Sequence, residues 1–208
     1  RINAFEVLDA DNDGDPDISF VNTTTWRLNY IENTGLGAFA GREFIASSSS
    51  GDVPRGLLSA DLNGDGLQDL VYSGIEGTYT VLNNGTGFDS GVLITVADAP
   101  GTFASAGDVD NDGDIDITVV AASTNLAADG FVYTYLNDGA ANFTNFQNSL
   151  QIPEPKLILM EDLSGDGLKD VITDSQTDSV MWQILNTGSA SSSNLDDPFV
   201  MNFNRVGA

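Results

Sequence analysis

Short apolar runs of four or five residues recur along the chain, separated by polar stretches rich in Asp, Asn and Gly. None keeps the spacing of an amphipathic helix over a useful length, and the runs are rich in β-branched and aromatic residues, so they read as strands. In the first fifty residues they predict strands at Ala4 to Leu8, Ile18 to Val21, Arg27 to Ile31 and Glu43 to Ala46. Equivalents of the second run lie at Leu70 to Ser73, Ile117 to Val120 and Val171 to Asp174. The expectation is a nearly all-β chain.

The polar stretches repeat as well. An acidic loop opens at Asp9, Asp61, Asp108 and Asp162, at intervals of 52, 47 and 54 residues. Each loop precedes one of the apolar runs. Further on, each repeat has an apolar strand ending in Asn and then a Gly turn, at Asn33 and Gly35, Asn83 and Gly85, Asn137 and Gly139, and Asn186 and Gly188. Asn and Gly tolerate the positive φ of a tight hairpin. In three repeats a Gly- or Ala-rich stretch then leads to Phe39, Phe88 or Phe143, while the fourth has a Ser-rich stretch, Ser189 to Ser193, before Phe199. Each repeat therefore reads as four strands of about five residues in one antiparallel sheet. The repeats run over approximately 1–50, 51–99, 100–152 and 153–208, within one domain of 1–208.

The loops carry the chemistry. Each is nine residues long, with oxygen-bearing side chains at positions 1, 3, 5 and 9 and Gly at position 6, where the backbone must turn sharply. Such a loop can wrap oxygens around a hard cation. It is not an EF-hand, because the bidentate Glu needed at position 12 is replaced by Phe20, Tyr72, Val119 and Thr173. Asp, Asn and Gly also build ordinary surface turns, but turn chemistry does not require a carboxylate ladder with Gly sixth in four repeats.

Composition sharpens this picture. The formal charge is -24, from 31 acidic against 7 basic residues, and sixteen of the acids lie inside the four loops. Four bound divalent ions would bring the formal charge to -16, so folding and metal binding should be coupled. So acidic a surface argues against nucleic acid and anionic membrane as partners, since both call for Lys and Arg, and neither is expected. No apolar run approaches the ~20 residues of a membrane helix. There is no Cys and no His, which removes disulfides, thiol nucleophiles and the commonest general base. A glycosidase carboxylate pair could hide among so many acids, but Glu6, Glu32, Glu43, Glu76, Glu154 and Glu161 share no motif. The chain opens at Arg1 without a signal sequence, as a mature or excised segment would. Oxygen cages of this kind fill at the millimolar calcium typical outside cells, which favours an extracellular location.

The loop D-x-[DNS]-x-D-G-x-x-D after an apolar strand, with the N-x-G…F hairpin downstream, resembles the FG-GAP or VCBS-type repeats of bacterial surface proteins, integrin α-subunits and some fungal lectins. The resemblance covers essentially the whole chain. It implies a β-propeller of four-stranded antiparallel blades with one Ca²⁺ per loop, about four in all. The ligands it implies are Asp9, Asp11, Asp13 and Asp17; Asp61, Asn63, Asp65 and Asp69; Asp108, Asp110, Asp112 and Asp116; and Asp162, Ser164, Asp166 and Asp170. Position seven, at Asp15, Leu67, Asp114 and Leu168, would add its backbone carbonyl. Four repeats either close on themselves or form part of a larger propeller of roughly seven or eight blades.

Two functional classes follow. The first is a non-catalytic, calcium-stabilised binding or adhesion module of a secreted or cell-surface protein, expected to be bacterial, that presents loops to a glycan or an extracellular protein. The second is the propeller of a polysaccharide-degrading enzyme such as a lyase, or a structural segment of a surface fibre. The scarcity of basic residues speaks against the lyase. Recognition is expected in the variable loops after each second strand, including Asn22 to Trp26 and Ser123 to Gly130. Trp182 and the tyrosines at 30, 72, 79, 133 and 135 are expected in the core between blades, whereas Trp26 is expected in an exposed loop.

Overall fold

The computed structural model describes residues 2–47, 55–74, 77–94, 101–121, 130–175, 180–186 and 202–206. Every regular element among them is a strand, and sixteen strands make four antiparallel four-stranded sheets. The first sheet is β1 (Ile2–Leu8), β2 (Asp17–Asn22), β3 (Arg27–Asn33) and β4 (Phe39–Ser47). The second is β5 (Gly56–Ala60), β6 (Asp69–Ser73), β7 (Thr78–Val81) and β8 (Val92–Leu93). The third is β9 (Gly101–Gly107), β10 (Asp116–Ala121), β11 (Gly130–Asn137) and β12 (Phe143–Ile152). The fourth is β13 (Ile158–Glu161), β14 (Asp170–Ser175), β15 (Val180–Leu185) and β16 (Asn202–Val206). Each sheet keeps its strands in sequence order.

The second strand of every sheet starts on the ninth residue of an acidic loop. Every residue of β6 and β10 is buried, which explains why these segments read as continuous apolar runs and not as an alternation. Of the first strands, β1 and β13 alternate: in β13, Met160 is buried while Leu159 on its other side is largely exposed.

The chain divides into two compact units, residues 1–101 and 102–208. In the first, Leu8, Val21 and Leu28 of one sheet pack against Leu70, Tyr72 and Val81 of the next, with Leu57, Tyr79 and Phe88 at the margin. Tyr72 and Tyr79 stack at 4.8 Å between centroids, and Tyr30 meets Phe88 edge to face at 5.8 Å. Both geometries suit the aromatic quadrupole. In the second unit, Val109, Val120, Val132 and Ile152 pack against Met160, Val171 and Ile184, with Phe103, Ile158 and Trp182 beside them.

The pattern-based strands of the first repeat agree with these elements, except that β3 extends to Asn33 and β4 begins at Phe39. Leu57 and Phe103 lie against the cores, as inter-sheet residues should. Leu159 does not, because the two-residue period gives the inward place to Met160. The last described strand is Asn202–Val206; Ser189 to Ser193 and Phe199 lie outside the described residues, as do Glu76 and most of Ser123 to Gly130.

Candidate metal centres

Each acidic loop is folded by its own carboxylates. The first Asp accepts backbone N–H groups from across the turn: Asp61 takes Gly64 on Oδ1 (2.8 Å) and Gly66 on Oδ2 (2.9 Å), and Asp108 takes Asn111 (2.7 Å) and Gly113 (3.0 Å) in the same way. Asp9 holds Asp13 and Gly14, and Asp162 holds Gly165, Asp166 and Gly167. The fifth Asp caps the seventh residue, as Asp13 does for Asp15 (2.8 Å), Asp65 for Leu67 (2.8 Å), Asp112 for Asp114 (2.9 Å) and Asp166 for Leu168 (3.0 Å). These are Asx-type turns. Gly at position 6 has φ between 87° and 99° in all four loops, and a Cβ there would meet nothing within 4 Å, so the requirement is conformational and not steric. Position 4 also has positive φ, which accounts for its being Asn12, Gly64, Asn111 and Gly165.

The ninth Asp does something different. Asp17, Asp69, Asp116 and Asp170 are fully buried, and each bridges two segments of backbone. One oxygen accepts the N–H of the loop's second residue, from Ala10 (2.8 Å), Leu62 (2.9 Å), Val109 (2.8 Å) and Leu163 (3.0 Å). The other accepts the N–H of the hairpin Asn, from Asn33 (2.7 Å), Asn83 (2.7 Å), Asn137 (2.8 Å) and Asn186 (2.8 Å). A buried carboxylate that receives two N–H groups is thereby satisfied without a basic partner. Each oxygen of Asp17, Asp69 and Asp116 retains a lone pair for a cation, whereas Oδ2 of Asp170 accepts a second N–H, from Ser164 (2.9 Å).

The hairpin Asn residues complete the latch. Asn33, Asn83 and Asn137 donate through Nδ2 to the carbonyl of the loop's eighth residue, Pro16, Gln68 and Ile115, at 3.0–3.3 Å. Two also reach the loop of the preceding sheet, Asn83 to the carbonyl of Asp9 (3.5 Å) and Asn186 to that of Val109 (2.6 Å). The positive φ of the hairpin falls on Gly35, Gly85 and Gly139, not on the Asn. Their role was missed in the sequence because a turn explained them. Their recurrence at the same place in every repeat, always followed two residues later by Gly, was the available signal.

Among the described residues, two groups of carboxylates come within 4.8 Å of one another: Asp9, Asp11 and Asp17 in the first loop, and Asp108, Asp110 and Asp112 in the third. Burial, reinforced by the neighbouring carboxylates, raises the pKa of Asp11 and of Asp110. Burial likewise pushes Asp69 up to about 6 and Asp116 up to about 7 against the opposing pull of their N–H donors, with smaller contributions from the other acids of their loops. Oδ1 of Asp110 is buried and receives no hydrogen bond. An all-oxygen donor set with mutual repulsion and one orphaned buried oxygen fits a hard cation. The second and fourth loops place neutral oxygens, Asn63 and Ser164, at position 3; the Asn63 amide donates to Asp65 Oδ2 at 3.0 Å. Position 7 turns its side chain to the hairpin: a Cβ on Gly139 would lie 2.7 Å from the Asp114 carboxylate, and one on Gly35 3.0 Å from that of Asp15.

Of the tyrosines and tryptophans, Tyr30, Tyr72 and Tyr135 are buried and Tyr79, Tyr133 and Trp182 are half-buried; Trp26, expected in an exposed loop, is half-buried as well. Trp26 closes the turn from β2 to β3 at a φ of 52°, and the turn is ordered by Asn22 Oδ1, which accepts the N–H groups of Thr24 and Thr25.

The profile of the FG-GAP-like repeat matches residues 9–72 and 61–119, which hold the first three loops. A comparison with curated protein sequences returned no match. Among solved structures, the chain is similar to a lectin from Agrocybe aegerita that recognises non-reducing terminal N-acetylglucosamine, with a TM-score of 0.57 and 20% identity over 96% of this chain and 50% of the lectin. It is also similar to the V. cholerae biofilm matrix protein Bap1, with a TM-score of 0.55 and 17% identity over 87% of this chain and 26% of that one. The chain thus spans about half the length of the lectin. Because the profile covers more than half of the sequence and coincides with the loops whose geometry recurs in each sheet, the chain belongs to the FG-GAP-like repeat family.

Proposed function

We propose that this chain is a calcium-stabilised β-propeller, or part of one, that acts outside the cell as a binding or adhesion module for a glycan or an extracellular protein. The observation that carries the reading is the repeated latch: a buried ninth Asp ties each acidic loop to the Asn hairpin of its sheet. One Ca²⁺ in each loop, held by the side chains at positions 1, 3, 5 and 9 and the carbonyl at position 7, would fix the loop bases that the latch aligns. The buried, unpartnered oxygen of Asp110 supports this for the third loop.

The similarity to a lectin and to a biofilm matrix protein supports binding over catalysis, as does the absence of His and Cys. Recognition is assigned to the loops between second and third strands, Asn22 to Trp26 and Ser123 to Gly130, where repeats differ while the latch stays fixed. A glycan array that includes terminal N-acetylglucosamine, run in calcium with wild type and Trp26→Ala, tests the reading. Binding that the substitution weakens supports it. Turnover of a polysaccharide by the chain, with no retention on any glycan or matrix protein, would replace it with the enzyme reading.

A further inference from the structure

The chain holds two Asn-Gly pairs, Asn63-Gly64 in the second acidic loop and Asn84-Gly85 in the hairpin of the same sheet. Such a pair can modify itself, because Gly leaves its own nitrogen open to attack the preceding side-chain amide. The two are built alike. Asn63 Oδ1 accepts the N–H of Asp65 and Asn84 Oδ1 that of Thr86, both at 3.1 Å. Each is an Asx turn, which folds the side-chain carbonyl carbon forward over the nitrogen of the Gly. Each side-chain amide also donates to a carboxylate, Asn63 to Asp65 Oδ2 (3.0 Å) and Asn84 to Asp89 Oδ1 (2.9 Å). The φ values of the two glycines are close, 72° and 79°.

They differ in what receives the Gly N–H. Gly64 donates to the carboxylate of Asp61 at 2.8 Å, whereas Gly85 donates to the amide oxygen of Asn83 at 2.9 Å. A carboxylate can take the proton that the attacking nitrogen must lose, and an amide oxygen cannot. The Thr86 hydroxyl also donates to Asn84 Oδ1 at 2.8 Å, which polarises that carbonyl but leaves its attacker protonated. Asn63 is half-buried and Gly64 exposed, so water reaches the pair.

We propose that Asn63-Gly64 is a self-deamidating site with Asp61 as its general base. The Gly64 nitrogen bonds to Asn63 Cγ while Asp61 takes its proton, and the Asp65 N–H steadies the oxyanion. The Cγ–Nδ2 bond then breaks, and ammonia leaves with the proton that Asp61 held. Water opens the resulting five-membered imide, leaving aspartate at position 63 when it adds to one carbonyl and isoaspartate when it adds to the other. One amide and one water become one carboxylic acid and one ammonia, with nothing oxidised or reduced. The aspartate product gives the second loop the acid that Asp11 and Asp110 supply at position 3 of the first and third loops. The isoaspartate product puts an extra carbon into the loop backbone.

The test is mass spectrometry of the full chain held in metal-free buffer, so that the outcome does not depend on the calcium reading, and then digested at Glu76, which separates the two sites. The fragment with Asn63 should gain one mass unit at least tenfold faster than the fragment with Asn84. In urea the two pairs should react at similar rates, since only the folded loop holds Asp61 on Gly64. Asp61→Asn, shown folded by circular dichroism, should lower Asn63 to the rate of Asn84. Equal rates at the two sites of the wild type in buffer, or an Asp61→Asn chain that deamidates Asn63 as fast as wild type, overturns the proposal.

Discussion

The side-chain amide of Asn186 donates to the backbone carbonyl of Val109 at 2.6 Å, so the hairpin of the fourth sheet holds the acidic loop of the third. The bond is buried at both ends and spans 77 residues of sequence. Since Asn186 also gives its own N–H to Asp170, one residue connects two candidate metal loops.

Asn186→Ala should therefore cost more than a surface polar residue. It strands a buried carbonyl, for which about 1–3 kcal/mol is the usual penalty. Urea denaturation in calcium should show that loss. Calcium affinity at the third loop should also weaken although Asn186 is no candidate ligand, and titration of an Asn186→Ala chain reads this separately.

The ninth and fifth positions should separate latch from ligand. Asp116→Asn turns one acceptor of a two-acceptor latch into a donor facing an N–H group, so it should destabilise the chain even in chelator. Asp112→Ala removes a side chain exposed at the loop surface and should lower calcium affinity while changing the melting temperature in chelator little. Melting curves of both variants with and without EDTA give the comparison; equal losses in chelator would show that position 9 has no separate structural role.

Charge count should grade the sites. Asp65→Ala leaves two acids in the second loop, whereas Asp112→Ala leaves four in the third. Fewer carboxylates hold calcium less tightly, so Asp65→Ala should lose its ion at the lower chelator concentration. Indistinguishable losses would mean that backbone geometry sets affinity.

The pH dependence should reverse with metal. In chelator, Asp69 and Asp116 have folded pKa values of about 6 and about 7, above the ordinary carboxylate value, so folding favours their protonated forms. Their contribution to stability is complete below about pH 4 and is lost as pH rises through 6 to 7. With calcium, binding requires the ionised forms and affinity should rise over the same window. Urea midpoints at pH 5 and pH 8 should shift in opposite directions with EDTA and with calcium.

Much of this was legible in the sequence because it is written four times. The Asp ladder, the Gly at position 6 and the apolar run after it fix loop and second strand together, and β2, β6, β10 and β14 begin where the loops end. What was not legible depends on contacts between distant segments. Nothing in the spacing of Asp69 distinguishes it from Asp65, yet one is fully buried on two N–H groups and the other lies at the surface. The inward place of Met160 over Leu159 is a matter of register, which a run of four apolar residues, Leu157 to Met160, leaves open.

Calcium titration of the exhaustively chelated chain, followed by calorimetry and a melting curve, tests the central claim most directly. The account predicts about four Ca²⁺ per chain, with each site adding about 2.7 kcal/mol at a free calcium a hundredfold above its dissociation constant. For a chain of this size that is roughly 5–10 °C of melting temperature per site. No calcium bound, or a melting temperature that does not move between EDTA and calcium, would contradict it.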